Sequence, residues 1–143
     1  MRLLIDSSVW IDHLRGERTR ETAILGTLLA RLDPELTRGG GEDAAELVVG
    51  DLILSEVLRG IPDPREHAAV KDVLLSFVVV TIGGPELALE AADHYRALRR
   101  RGATVRKTID LLIGTWCVAN DCALLHSDRD FEPMTRHLGL RAL

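Results

Sequence analysis

The stretch Arg2-Leu3-Leu4-Ile5-Asp6-Ser7-Ser8-Val9-Trp10-Ile11-Asp12 decides how the chain is read. Leu3, Leu4 and Ile5 form an apolar run too short for a helix, which predicts a strand buried on both faces. Asp6 ends that run. Ser7 and Ser8 offer side-chain oxygens to cap a following helix, whose apolar positions are Val9, Trp10, Ile11 and Leu14. A carboxylate therefore stands at the C-terminal edge of a predicted central strand, where open α/β sheets gather ligand-binding groups. The expectation is that Asp6 anchors a metal site and that later acids converge on it.

Working outward, Ile24, Leu25, Leu28, Leu29 and Leu32 repeat at helical spacing, and Pro34 stops that helix. Thr37 to Asp43, with three glycines, predicts a flexible loop. Leu47 to Gly50 is a short strand, and Asp51 is placed to cap a helix running to Arg59 that carries Glu56. An amphipathic helix over 64–76 puts Ala69, Val70, Val73 and Leu74 on one face. Phe77 to Ile82, β-branched and nearly continuous, is the clearest strand signal. Pro85 opens a helix whose buried face is Leu87, Ala91, Tyr95 and Leu98 and whose cationic end is Arg99-Arg100-Arg101.

Thr108 is expected to cap a helix reaching about Asn120. It is apolar nearly all round and hence buried, yet Asp110 stands in its first turn. Ala123 to His126 is a further strand, followed by Ser127-Asp128-Arg129-Asp130-Phe131, a short helix over 132–137 and an edge strand over 140–143. The alternation predicts an α/β fold with a mostly parallel central sheet flanked by helices on both faces.

Composition sets the bounds. At 143 residues, 46% of them apolar, the chain suits one domain over 1–143 with one core. Aromatics make up only 3%, so aliphatic side chains fill that core. No run approaches a membrane span and no secretory leader is visible, so the expected location is cytoplasmic. Cys117 and Cys122 lack the CxxC spacing of redox or zinc sites and read as small buried hydrophobes. His13, His67, His94, His126 and His137 form no HxH or HExxH pattern, and His126 reads as packing or support. A net charge of −4 argues against bulk electrostatic binding of nucleic acid while leaving room for a local basic patch.

Each acid has an ordinary explanation when taken alone. Asp6 suits a turn at a strand end, and Glu56 can pair with Arg59. Asp110 favours the positive end of its helix dipole, and Asp128 with Asp130 suits an Asx turn. Taken together, they recur at what a parallel topology makes one end of the sheet. Clustered carboxylates raise one another's pKa, and a divalent cation among them stabilises the ionised form. Oxygen-only ligands suit Mg²⁺ or Mn²⁺ rather than zinc, and such ions support phosphodiester cleavage.

The opening Leu-Ile-Asp-Ser-Ser-Val-Trp-Ile-Asp-His-Leu-Arg-Gly resembles that of PIN-domain nucleases, and more narrowly of VapC toxins from bacterial toxin–antitoxin pairs. Glu56 in Leu-Ser-Glu-Val-Leu-Arg-Gly, Asp110 in Thr-Ile-Asp-Leu-Leu-Ile-Gly, and Asp128 in Ser-Asp-Arg-Asp-Phe match the later motifs in order. The resemblance implies a three-layer α/β/α fold and Mg²⁺-dependent endoribonuclease activity, with Mn²⁺ able to substitute. It implies catalytic acids at Asp6, Glu56, Asp110 and Asp128, with Asp130 auxiliary. Asp6, Asp110 and Asp128 would hold metal, and Ser7, Ser8 and Ser127 would support them. It also implies a cognate antitoxin protein fitted to the first helices, an RNA substrate and a homodimer; the lack of a long apolar run adds the expectation of no membrane association. The Gly-rich insert at 38–43 lengthens the linker before the second strand relative to the family pattern.

Arg96, Arg99, Arg100, Arg101, Arg106 and Lys107 precede Asp110. They suit either a solvated helix end or a phosphate track, in which Arg100, Arg106 and Lys107 are candidate RNA contacts. The alternative in another class is a non-catalytic module on the same fold, holding an Arg-rich partner peptide in the acidic cleft.

Overall fold

The computed structural model describes residues 1–32 and 45–143; the expected stop at Pro34 and the loop from Thr37 to Asp43 lie outside the described residues. The opening run forms β1 (Arg2–Ile5), with Leu3, Leu4 and Ile5 fully buried. It lies between β2 (Glu46–Gly50) and β4 (Ala123–Leu125), and β3 (Val78–Val80) pairs with β2. The order is β3-β2-β1-β4 and every pairing is parallel. A parallel strand with neighbours on both sides and helices on both faces has no solvated side, which is why β1 reads as an unbroken apolar run.

The helices are α1 (Ser7–Leu14), α2 (Arg20–Leu32), α3 (Asp51–Leu58), α4 (Pro64–Leu75), α5 (Pro85–Arg100), α6 (Thr108–Ala119) and α7 (Glu132–Leu138). α1 to α4 pack on one another, and α5 to α7 do likewise, giving the three-layer α/β/α arrangement. The interior is mostly aliphatic, with Phe131, Trp10 and Trp116 as its buried aromatics, and Leu98, Ile113, Leu124 and Met134 fully buried. Each such side chain contributes roughly 1.5–3 kcal/mol relative to exposure. Gly114 lets α6 and α7 approach: a Cβ there would fall 2.4 Å from the Met134 methyl. Gly139, at φ 75, ends α7 in the left-handed conformation and returns the chain along β4.

The sequence misplaced several details. The cap of α1 is Asp6 itself, whose carboxylate accepts from the Ser8 N–H at 3.1 Å, and Ser7 and Ser8 are the first helical residues. Thr108 is likewise inside α6, and Lys107 occupies its cap position. The strand expected over 77–82 shortens to three residues at the sheet edge, where Val78 and Val79 are 54% and 40% exposed. On α4 only Leu74 is buried while Val73 faces solvent, and on α5 Tyr95 is exposed. The edge strand expected at the C-terminus reduces to one parallel bridge, Leu124 to Ala142. Hydrophobic periodicity reports that a face exists; the number of neighbours available to cover it is a tertiary matter.

Asp51 has a structural role. It is the first residue of α3, and one oxygen of its carboxylate accepts from the Leu52 N–H at 2.8 Å and from the Ile82 N–H at 2.9 Å. It thereby ties the end of β2 to the segment after β3. We predict that Asp51→Ala lowers stability by about 1–3 kcal/mol, because an N–H loses its partner at a half-buried site. Denaturant unfolding measures this, and an unchanged midpoint would show that water replaces the carboxylate at no cost.

Candidate metal centre

In a wholly parallel sheet all C-terminal strand ends share one edge. The chain leaves β1 towards β2 and β3, then returns to place β4 on the other flank of β1. The switch point therefore lies between β1 and β4, where the strand ends leave a crevice. Asp6 follows β1 directly and its N–H donates to the Leu125 carbonyl at 2.9 Å, fixing the carboxylate at that crevice. Asp128 stands across it, three residues beyond β4.

Asp6 is 3% exposed. Its Oδ2 accepts from the N–H and the hydroxyl of Ser8. Its Oδ1 is buried without a partner. Asp110, in the first turn of α6, is 4% exposed, and its Oδ2 is also buried without a hydrogen bond. Glu56, half-buried on α3, accepts from the Ser7 hydroxyl at 3.2 Å. Asp128 caps the 3₁₀ turn Arg129–Phe131 by accepting from the Asp130 N–H at 3.0 Å. One carboxylate oxygen from each of Asp110, Asp128 and Asp130 lies within 4.8 Å of the others.

Supporting contacts link the elements. Ser127 donates its N–H to the Ser8 hydroxyl at 3.3 Å, and its own hydroxyl reaches the Asp12 carboxylate at 3.5 Å. Asp12 escaped the sequence reading as a participant, although it lies four residues beyond Ser8 on the same face of α1. The His126 ring packs tilted against Phe131, centroids 4.8 Å apart, with its Nδ1 buried without a hydrogen-bond partner. An open cleft of about 630 Å³, lined by Ser127, Asp128, Arg129, Glu132 and Arg136 among others, adjoins the site from the α7 side.

The basic stretch divides. Arg99 donates to the Thr104 hydroxyl and Arg101 lies beside His137, whereas Arg100 and Arg106 are exposed at the surface. Lys107 turns inward: its ammonium is 2.9 Å from Asp128 Oδ2 and 3.9 Å from Asp110 Oδ2. Position along the chain cannot tell a lysine facing outward from one whose ammonium rests on the acids, so the ion pair with Asp128 could not be read from the sequence.

The electrostatics follow from burial and crowding. Burial, then the neighbouring Asp6 charge, push the Asp110 carboxyl up to about 7 against the pull of Lys107. Asp6 is raised by burial, with the Ser8 hydrogen bonds opposing. Glu56 is raised by burial and then by Asp6. At Asp128 burial is outweighed by the Asp130 N–H and by Lys107, so its carboxyl lies below the usual range. The Lys107 ammonium is held above its usual range by Asp128 and Asp110.

The donor set fits a hard divalent cation. It consists of carboxylate oxygens, two of them buried without hydrogen-bond partners, in a cluster that resists full ionisation by itself. Six-coordinate Mg²⁺ or Mn²⁺ takes such ligands and keeps waters of its own.

A family model for the PIN domain matches residues 3–136. The chain belongs to the PIN-domain family. Among individual proteins it is similar to ribonuclease VapC11 of Mycobacterium tuberculosis, 29% identical over 140 residues covering 98% of this chain and 96% of that protein. A VapC ribonuclease of Mycobacterium bovis matches with the same identity and coverage. Among solved structures, VapBC2 from Rickettsia felis, bound to a promoter DNA fragment, aligns with a TM-score of 0.70 at 14% identity, covering 100% of this chain and 98% of that one. VapBC-1 from nontypeable Haemophilus influenzae aligns at 0.68 and 16% identity, covering 100% and 97%.

The raised Asp110 carboxyl carries a pH prediction. Between about pH 4 and 7 the folded chain holds a proton there that the unfolded chain releases, so this group's contribution falls as pH rises through about 7. His126, lowered chiefly by burial, acts in the opposite sense, but only up to its unfolded value of 6.5. From pH 6.5 to 8, then, the melting temperature of metal-free protein should fall. Asp110→Asn should flatten that fall, and Mg²⁺ or Mn²⁺ should reverse it if the cation binds the ionised carboxylate. Equal slopes for the wild type and Asp110→Asn would contradict the assignment.

Proposed function

We propose that this single domain is a cytoplasmic, divalent-metal-dependent endoribonuclease acting as the toxin of a toxin–antitoxin pair. The observation that carries the reading is the convergence of Asp6, Glu56, Asp110, Asp128 and Asp130 on the switch-point crevice, with Asp6 Oδ1 and Asp110 Oδ2 buried without hydrogen-bond partners. The similarity to VapC ribonucleases supports the substrate class. The toxin–antitoxin complexes among the structural relatives support a protein partner. Among the described residues, no helix is long and apolar enough to cross a membrane.

In this reading Asp6, Asp110 and Asp128 hold Mg²⁺, or Mn²⁺ in its place, with Asp130 completing the group on the α7 side. The bound cation supplies a lowered pKa for water and charge neutralisation at the phosphate. Glu56, at the rim and steadied by Ser7, orients the attacking water and takes its proton. Ser8 fixes the Asp6 carboxylate, and Ser127 closes the crevice by bonding to Ser8. Arg100 and Arg106 lie exposed on the approach to α6, placed to meet backbone phosphates.

The partner is an antitoxin, and a second copy of the chain completes a homodimer. Exposed Leu14 and Leu32 on the first two helices, with Val73, Leu75, Val78 and Val79 around the β3 edge, supply apolar surface for such contacts.

Asp110→Asn should reduce RNA cleavage at least 100-fold in Mg²⁺ while the far-UV spectrum stays native, and EDTA should silence the wild type. Cleavage by Asp110→Asn at the wild-type rate would refute the mechanism. A folded wild type inert with Mg²⁺ and Mn²⁺ on an RNA panel would favour the non-catalytic peptide-binding alternative. Charge reversal at Arg100 and Arg106 should weaken RNA binding and flatten its dependence on salt; an unchanged salt slope would remove these arginines from the RNA path.

A further inference from the structure

Only two of the chain's 18 basic residues are lysines, Lys71 and Lys107. Lys71 stands exposed on α4. Lys107 stands at the cap position of α6, and its ammonium lies 2.9 Å from Asp128 and 3.9 Å from Asp110. Among the described residues it is the only cation in an ion pair with the clustered acids. An ammonium is a compact point charge with three donors, whereas a guanidinium is a wide planar fork. Of the two cationic side chains this protein uses, the one that most nearly has the size and charge density of a small cation is found on the metal-ligand oxygens.

We propose that Lys107 is a resident counter-cation of the metal centre, which holds the Asp110–Asp128 pair together before metal arrives and is displaced when a divalent ion takes those oxygens. The side chain can do both. It is 63% exposed, its flexible stem leads to solvent, and only its head is engaged. Asp128 is the shared residue: its Oδ2 accepts from Lys107, and its carboxylate offers one oxygen to the group of three acids. A divalent ion and an ammonium brought to the same carboxylate pair repel at contact distance, so each weakens the other's hold on it. Lys107 therefore lowers apparent metal affinity while keeping the empty crevice from springing apart.

This inference rests on the metal-centre reading but not on the nuclease reading, and its test involves no RNA. Mn²⁺ binding is measured by calorimetry on wild type, Lys107→Met, Lys107→Arg and Arg106→Met. Arg106→Met removes one charge from the adjacent exposed position and so controls for net charge. Lys107→Met should bind Mn²⁺ about 5- to 30-fold more tightly than wild type and melt lower when metal-free. Arg106→Met should shift affinity less than 3-fold, and Lys107→Arg should lie near wild type. In wild type, labelling by an amine-reactive reagent, read by mass spectrometry with Lys71 as internal reference, should rise at Lys107 when Mn²⁺ is added. Equal Mn²⁺ affinity for Lys107→Met and wild type, or Lys107 labelling indifferent to Mn²⁺, would overturn the proposal alone. No Mn²⁺ binding by folded wild type or Lys107→Met would overturn the metal centre with it.

Discussion

The structure depends on a repulsion that the fold imposes. A parallel sheet delivers its C-terminal strand ends to one edge, and here that edge receives acids from β1, α3, α6 and the turn after β4. Burial makes each charge costly, and proximity makes each cost the others' concern. The Asp110 carboxyl, pushed up to about 7, shows how far the site is from accommodating every negative charge unaided. Hydrophobic burial of β1, β4 and α6 holds these groups where electrostatics alone would scatter them. The site is a place where packing energy holds like charges together.

Neighbouring acids at equivalent places show how partners decide function. Asp6 and Asp51 each follow a strand directly, and each begins the turn into a helix. The Asp51 carboxylate accepts from two backbone N–H groups and serves the fold. The Asp6 carboxylate is half satisfied by Ser8 and keeps one buried oxygen without a hydrogen-bond partner, so it faces the crevice with acceptor capacity unused. Lys107 marks the same distinction from the cationic side: Arg100 and Arg106 face solvent, whereas Lys107 reaches the acids. The charge of a residue is local information, but the direction it faces is not.

Much of the architecture was legible because local chemistry left little choice. Leu3-Leu4-Ile5 is too apolar for an edge and too short for a helix, and α6, apolar nearly all round, had to be buried. The order of strands and helices followed from those periodicities, and the acids Asp6, Glu56, Asp110 and Asp128 were visible at or near the ends of successive elements. The errors fell where neighbours mattered. Phe77 to Ile82 has the composition of a central strand but lies at the edge, so only Val78–Val80 pairs. The α4 face expected to be buried is covered only at Leu74, because little packs over the rest.

The sequence by itself determined which residues could build this protein: a buried parallel core, helices between its strands, and acids at the junctions. These follow from side-chain periodicity and turn chemistry, which act over a few residues. Tertiary structure alone decided that β4 lies beside β1 and opens the crevice between them, and that Asp130 joins Asp110 and Asp128 within 4.8 Å. It alone turned Asp51 to the backbone and Lys107 to the acids. Those outcomes depend on contacts between residues far apart in the chain, whose geometry exists only once the sheet has closed on its helices.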